Sequence, residues 1–294
     1  MTSPNVSPPF NPPRIGNDPD RTIGRILEKS GKLSSHNVER VLRVMDDLGI
    51  RFGETAVRLG LIGERDVEEV LAEQFDYPYI TTGRAGLATE LIAAYQPFAL
   101  PVETLRAIRT ELMLQWFNDT SRKSLAIASS ENGEGTSMFT ANLAVVFAQQ
   151  GVRTLLVDAN LRHPRQHKLF DLNSRAGLSE VLVGRAGLET IVRVDTLTDL
   201  SVLPAGTVPP NPQELISSAA FNAFSSSLDH RFDVILYDVA PFSTSSDAFA
   251  LAARLGGILL VVRKQFSRVA QLNAIAKRLQ RNRSNIVGSV LVDF

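Results

Sequence analysis

The chain has 294 residues, enough for about two domains, and its 31 basic and 31 acidic residues cancel, so no overall field recruits nucleic acid or an anionic membrane. With no cysteine, it can have no disulfide framework, thiolate metal site, iron–sulfur cluster or cysteine nucleophile. Apolar runs such as residues 258–262 fall far short of the roughly 20 residues needed to cross a bilayer, and a soluble, cytoplasmic chain is expected.

Residues 1–20 hold six of the fifteen prolines with no apolar run, which predicts a disordered tail rather than a secretory signal. From 21 to 75 the apolar spacing turns helical and repeats with a period of 29 residues. Gly24 aligns with Gly53, Gly31 with Gly60, Leu33 with Ile62, Val38 with Val67 and Leu42 with Leu71. Each copy reads as a short helix, a glycine-stopped turn and a second helix opened by Ser34 or Ser35 in copy one and by Gly63 in copy two. These residues resemble the N-terminal domain of type II secretion and pilus-assembly ATPases, some of which bind cyclic di-GMP. Arg51 and Gln74 match the ligand-facing positions in the second copy, whereas Thr22, Glu28 and Met45 depart from the pattern in the first. A helical docking module and a nucleotide sensor are the two readings, and the departures favour the first. Residues 76–102, with Pro78, Pro97 and Pro101, read as a linker.

Beyond residue 103, apolar β-rich runs at 124–128, 154–157, 200–203, 234–237, 258–262 and 287–292 alternate with helical patterns. They are too continuously apolar to be half exposed. The expectation is an α/β fold, a doubly wound, mostly parallel sheet covered on both faces, with chemistry in the loops at the C-terminal strand ends. After the first strand, Gly133-Glu134-Gly135-Thr136-Ser137 precedes a helix expected over 139–150. Strand, glycine loop and helix form a phosphate cradle of backbone N–H groups, although Thr136 stands where such loops place a lysine. Asp158 and Asp238 close the second and fourth strands, where a carboxylate suits Mg²⁺ and phosphoryl transfer. A helix cap or turn former is the alternative for each aspartate.

Together these motifs make residues 103–294 similar to the kinase domain of bacterial tyrosine kinases, P-loop proteins that accompany polysaccharide chain-length determinants. The resemblance also rests on Glu103, Arg106 and Arg109 in an E-x-x-R-x-x-R pattern, Asp158 to Arg162, and the run from Leu203 to Leu215 with its Pro-Pro-Asn-Pro. It implies ATP and Mg²⁺ as cofactors, with Gly133, Glu134, Gly135, Thr136 and Ser137 at the phosphates, and Ser137 and Asp238 at the metal. Asp158 is implied as the base, and Arg162 as a neutraliser of transferred phosphate unless it pairs with a neighbouring acid. Glu103, Arg106 and Arg109 are implied to join subunits in a ring, and an inner-membrane chain-length determinant is the implied partner, holding the chain peripherally at the membrane.

The departures are as informative. The four tyrosines, Tyr77, Tyr79, Tyr95 and Tyr237, form no C-terminal cluster, and Val292 stands where relatives place an adenine-reading Asn. An ATP-dependent protein-tyrosine kinase in exopolysaccharide biosynthesis and export is the leading expectation. A non-catalytic, nucleotide-responsive regulatory subunit is the alternative, and a cyclic di-GMP receptor a third.

Overall fold

The computed structural model describes residues 22–74 and 86–293 apart from the side chains of Arg65 and Glu73; the expected tail and the first part of the expected linker lie outside the described residues. The chain divides into two compact units, Met1–Tyr79 and Ile80–Phe294.

The first unit holds helices α1 (Ile23–Lys29), α2 (Ser35–Leu48), α3 (Phe52–Arg58) and α4 (Glu64–Gln74). Its repeat is physical. Gly31 and Gly60 both turn left-handed after their helices, at φ 72° and 67°, which a side chain would resist. A Cβ on Gly24 would come within 3.4 Å of Val38, and one on Gly53 within 2.7 Å of Val67, the same pair one repeat later. Both glycines therefore let two helices meet closely. Ser34, not Ser35, caps α2 by accepting from the Asn37 N–H at 3.3 Å. At the equivalent Gly63, the backbone N–H donates to Asp66 Oδ2 at 2.9 Å. Ile26, Leu27, Leu33 and Val70 form the small core.

In the second unit the order is α5 (Ile92–Tyr95), α6 (Leu100–Gln115), β1 (Ser124–Ser129), α7 (Thr136–Ala148), β2 (Thr154–Asp158), α8 (Gln166–Leu169) and α9 (Leu178–Leu182). Then follow β3 (Val192–Arg193), β4 (Leu200–Leu203), α10 (Pro212–Ser217), α11 (Ala219–Leu228), β5 (Val234–Asp238), α12 (Asp247–Leu255), β6 (Gly257–Arg263), α13 (Val269–Arg281) and β7 (Asn285–Val292). The sheet order is β3-β4-β2-β5-β1-β6-β7, parallel except for the β3–β4 pair. Side chains alternate between two cores: Leu125 and Ile127 of β1 enter one with α6 and α7, while Ala126 and Ala128 enter the other with α11, α12 and α13. This is the expected doubly wound sheet.

Three details differ from expectation. The two-residue β3 is too short to leave a pattern in sequence. The edge strand β7 is half exposed rather than buried, with Leu291 at 65% exposure, because only β6 pairs with it. The linker expected over 76–102 is corrected from residue 86 on. There Leu91, Ala93 and Ala94 are fully buried in the core of the second unit, and α6 begins at Leu100. Asn142 of α7 secures this segment, accepting from the Ala93 N–H and donating to the Glu90 carbonyl, each at 2.9 Å. Gln149 adds a bond to the Ala93 carbonyl at 2.8 Å.

Candidate functional site

The loop after β1 turns through Gly133 and Gly135, both left-handed at φ 87° and 77°, and enters α7 directly at Thr136, three residues before the expected start. Gly133, Glu134, Gly135, Thr136 and Ser137 line a cleft of about 90 Å³, together with Asn160 and Arg165. The Glu134 carboxylate is fully buried and engaged in bracing the loop, accepting from the Ser130 N–H at 2.7 Å, its hydroxyl at 2.8 Å and the Glu131 N–H at 3.2 Å. Ser267 also donates to it. Of the expected phosphate-loop residues, Glu134 thus uses its side chain for loop shape.

Asp158 and Asp238 end β2 and β5, which are neighbours, and pair directly in register. Both carboxylates are fully buried, and one oxygen of each, Oδ1, has no hydrogen-bond partner. Burial, and then the nearby Asp238 charge, hold the Asp158 carboxyl well above the ordinary carboxylate range, against backbone donors from Gln166, Arg165 and Asn160. Burial likewise pushes Asp238 up to about 6, opposed by hydrogen bonds from the Ser137 and Gln166 side chains. Two adjoining buried carboxylates, each with an unpartnered oxygen, are a donor set of the kind a divalent cation satisfies.

Gln166 was not singled out by sequence. Fully buried, it donates from Nε2 to Asp238 Oδ2 at 2.7 Å and to the Ser137 carbonyl at 3.0 Å, tying the metal-candidate aspartate to the start of α7. Its own N–H and that of Arg165 donate to Asp158 Oδ2, each at 2.9 Å. A glutamine opening a four-residue helix has no spacing signature, so nothing in the linear pattern marked it. Asn160 closes a local turn by accepting from the His163 N–H at 3.1 Å.

Arg162 follows the alternative raised for it. It forms an ion pair with Asp247 at 2.8 Å, and that carboxylate is only 1% exposed. On α6, Arg106 pairs with the exposed Glu103, whereas Arg109 is turned inward to donate to the Val146 carbonyl at 2.7 Å. All three expected subunit-contact residues thus bond within their own chain. Val292, at the end of β7, accepts from the Lys264 N–H at 2.9 Å. In the helical unit, Arg51 is exposed and precedes α3, and Gln74 closes α4. A larger cavity of about 250 Å³ lies beside Phe242, Phe249 and Ile275, with the Arg278 guanidinium 3.9 Å above the Phe249 ring. It has none of the buried carboxylates.

A glycine loop between a parallel strand and a helix, facing two strand-end carboxylates, defines an α/β protein of the P-loop nucleotide-binding class. Among curated proteins, the tyrosine-protein kinase YwqD of Bacillus subtilis is 35% identical over 201 residues, which cover 68% of this chain and 84% of that protein. The chain belongs to the bacterial tyrosine-protein kinases. Among solved structures, the kinase domain of the Escherichia coli tyrosine kinase ETK superposes with a TM-score of 0.66 at 29% identity, covering 69% of this chain and 79% of that one. The chimerical protein CapA2B2 gives 0.65 at 31% identity, over 77% and 98%. No protein-family model matches. No helix among the described residues is long and apolar enough to cross a membrane.

Proposed function

We propose that this chain is an ATP- and Mg²⁺-dependent protein-tyrosine kinase of polysaccharide assembly, slowed by the absence of a lysine at Thr136. The observation that supports it most is the Asp158–Asp238 pair beside the phosphate loop, linked to Ser137 through Gln166. When bound, MgATP supplies the phosphoryl group. The backbone N–H groups of Gly133 to Ser137 and the N-terminus of α7 hold phosphates, and Ser137 and Asp238 would hold the metal. Asp158 accepts the tyrosine hydroxyl proton, a role that its place at the end of β2, beside Asp238 and the phosphate loop, supports.

Neither tyrosine among the described residues is available to receive phosphate. Tyr95 is 6% exposed, with its hydroxyl donating to the Leu87 carbonyl at 2.7 Å, and Tyr237 is fully buried. An inner-membrane chain-length determinant or a neighbouring subunit in a ring is the proposed source, with Glu103 and Arg106 at the subunit contact. Binding to that determinant would place a cytoplasmic chain at the membrane. The helical unit is read as a docking module, since its repeated glycines are occupied in helix packing.

Phosphotyrosine assays of wild type, Thr136→Lys and Asp158→Asn with the determinant's cytoplasmic tail test the proposal. Slow transfer by wild type, faster transfer by Thr136→Lys and much slower transfer by Asp158→Asn are expected. If wild type and Thr136→Lys both bind ATP yet transfer nothing, a non-catalytic regulatory subunit is the correct reading. Thr136 is the observation favouring that second reading.

A further inference from the structure

A P-loop lysine sets a positive charge against the β- and γ-phosphates, and Thr136 offers only a hydroxyl. Arg162, Arg263 and Arg165 are candidates among the described residues, and the structure separates them. Arg162 is engaged with the buried Asp247 carboxylate, and withdrawing it would strand that charge. Arg263 donates to the Gly133 carbonyl at 2.9 Å but is not among the residues lining the cleft. Arg165 does line it, together with Gly133, Thr136 and Ser137.

The root of Arg165 is anchored at the reacting centre. Its N–H donates to Asp158 Oδ2 at 2.9 Å, and the adjacent Gln166 reaches Asp238 and the Ser137 carbonyl. The far end is held more loosely. The guanidinium pairs with Glu90 at 3.4 Å, and the two side chains are 47% and 43% exposed, so solvent competes for both partners. An arginine fork also matches phosphate oxygens two at a time, which a threonine hydroxyl cannot do.

We propose that Arg165 is the cation of the phosphate cleft: it exchanges Glu90 for the phosphate oxygens of the bound nucleotide and supplies the charge missing at Thr136. This rests on the nucleotide-binding reading above, and binding rather than turnover tests it.

The full chain is titrated by calorimetry with MgATP and MgADP as wild type, Arg165→Gln, Thr136→Lys and the double variant. Nucleotide-free melting is followed by Trp116 fluorescence. Arg165→Gln is expected to weaken both nucleotides about tenfold to a hundredfold while leaving the nucleotide-free melting temperature in place. Thr136→Lys should restore affinity in the Arg165→Gln background and add less to wild type. If Arg165→Gln binds MgATP like wild type, the proposal is overturned and the kinase reading is untouched. A loss of affinity that comes with a lower melting temperature and resists rescue by Thr136→Lys overturns it too, since it marks a structural role. Absence of nucleotide binding by wild type removes both the proposal and the reading beneath it. Weakened binding in Arg165→Gln alongside a failure of wild type and Thr136→Lys to transfer phosphate sinks only the kinase reading, and Arg165 keeps its role.

Discussion

Polar side chains are handled differently in the two units. Among the described residues of the helical unit, Thr55 is the buried polar side chain, and its hydroxyl simply donates to the Arg51 carbonyl at 2.9 Å, one helical turn away. In the α/β unit, Glu134, Asp158, Gln166 and Asp238 are all fully buried, and they converge on one loop from four elements or their ends. Burying a carboxylate costs several kcal/mol unless hydrogen bonds or a counter-charge offset it. A fold keeps such groups where chemistry requires them. The repeat therefore reads as scaffold and the sheet end as site, although both contain paired glycines. The glycines of the repeat release space for helices, while Gly133 and Gly135 shape a loop that surrounds a cleft.

The largest test of this contrast is Asp158→Asn, which keeps the shape but removes the proposed proton acceptor. Phosphotransfer should fall by about 10²- to 10⁴-fold with MgATP binding retained, as read by phosphotyrosine assay and calorimetry. An unchanged rate would make the buried pair a structural feature, and the contrast would fail.

Asn142→Ala should be the most damaging change to stability. It leaves the buried Ala93 N–H and the Glu90 carbonyl without their partner, a loss of about 2 kcal/mol. Trp116 is the single tryptophan of the chain and lies in the α/β unit, so its fluorescence in urea reports that unit by itself. A normal midpoint would show that residues 86–99 rest on the unit without supporting it.

Asp238→Asn sharpens the comparison through pH. An aspartyl carboxyl raised from 3.8 to about 6 in the fold binds its proton more tightly folded than unfolded. The stability it contributes is complete below the unfolded value and is lost as pH rises through the folded one. Metal-free wild type should therefore lose stability between about pH 4 and pH 6. At pH 8, Asp238→Asn should exceed wild type by on the order of 2 kcal/mol, and Mg²⁺ should narrow the difference by stabilising wild type alone. Thermal melts across pH that show no difference at pH 8 would remove the buried charge from the account.

The smallest effect belongs to the repeat. Gly53→Ala places a methyl group 2.7 Å from Val67 Cγ1 and should destabilise the helical unit by about 1 to 2 kcal/mol, visible as an early loss of helical circular dichroism with Trp116 fluorescence unchanged. Gly24→Ala should cost less, because its nearest contact, at 3.2 Å, is the edge of the Phe52 ring, which can give way. Equal effects would show that the two copies are not packed alike.

Much of this was legible in one dimension. Continuous apolar runs marked the buried strands because parallel strands covered on both faces carry no polar alternation. Repeated glycines marked the helical unit because left-handed turns and close helix contacts restrict those positions to glycine. The phosphate loop and the two aspartates were legible because a strand end, a glycine turn and a helix start must be consecutive in the chain. The segment at 86–99 was legible only as a short amphipathic piece near Leu87 to Tyr95 within a linker, because its apolar residues become core only when Asn142 and Gln149 of α7 bond its backbone.

By itself, then, the sequence determined the class of fold, the 29-residue repeat and the chemical types gathered at the strand ends. Only the tertiary structure decided which of them meet. The strand order makes β2 and β5 neighbours and so couples Asp158 to Asp238, residues 80 positions apart. It also delivers Asp247 to Arg162 and leaves Arg165 at the cleft, so that two arginines three positions apart have different work. Local pattern records which backbone shapes and which burial a residue can tolerate. The charge that finally faces it depends on long-range packing, which no neighbouring stretch of chain encodes.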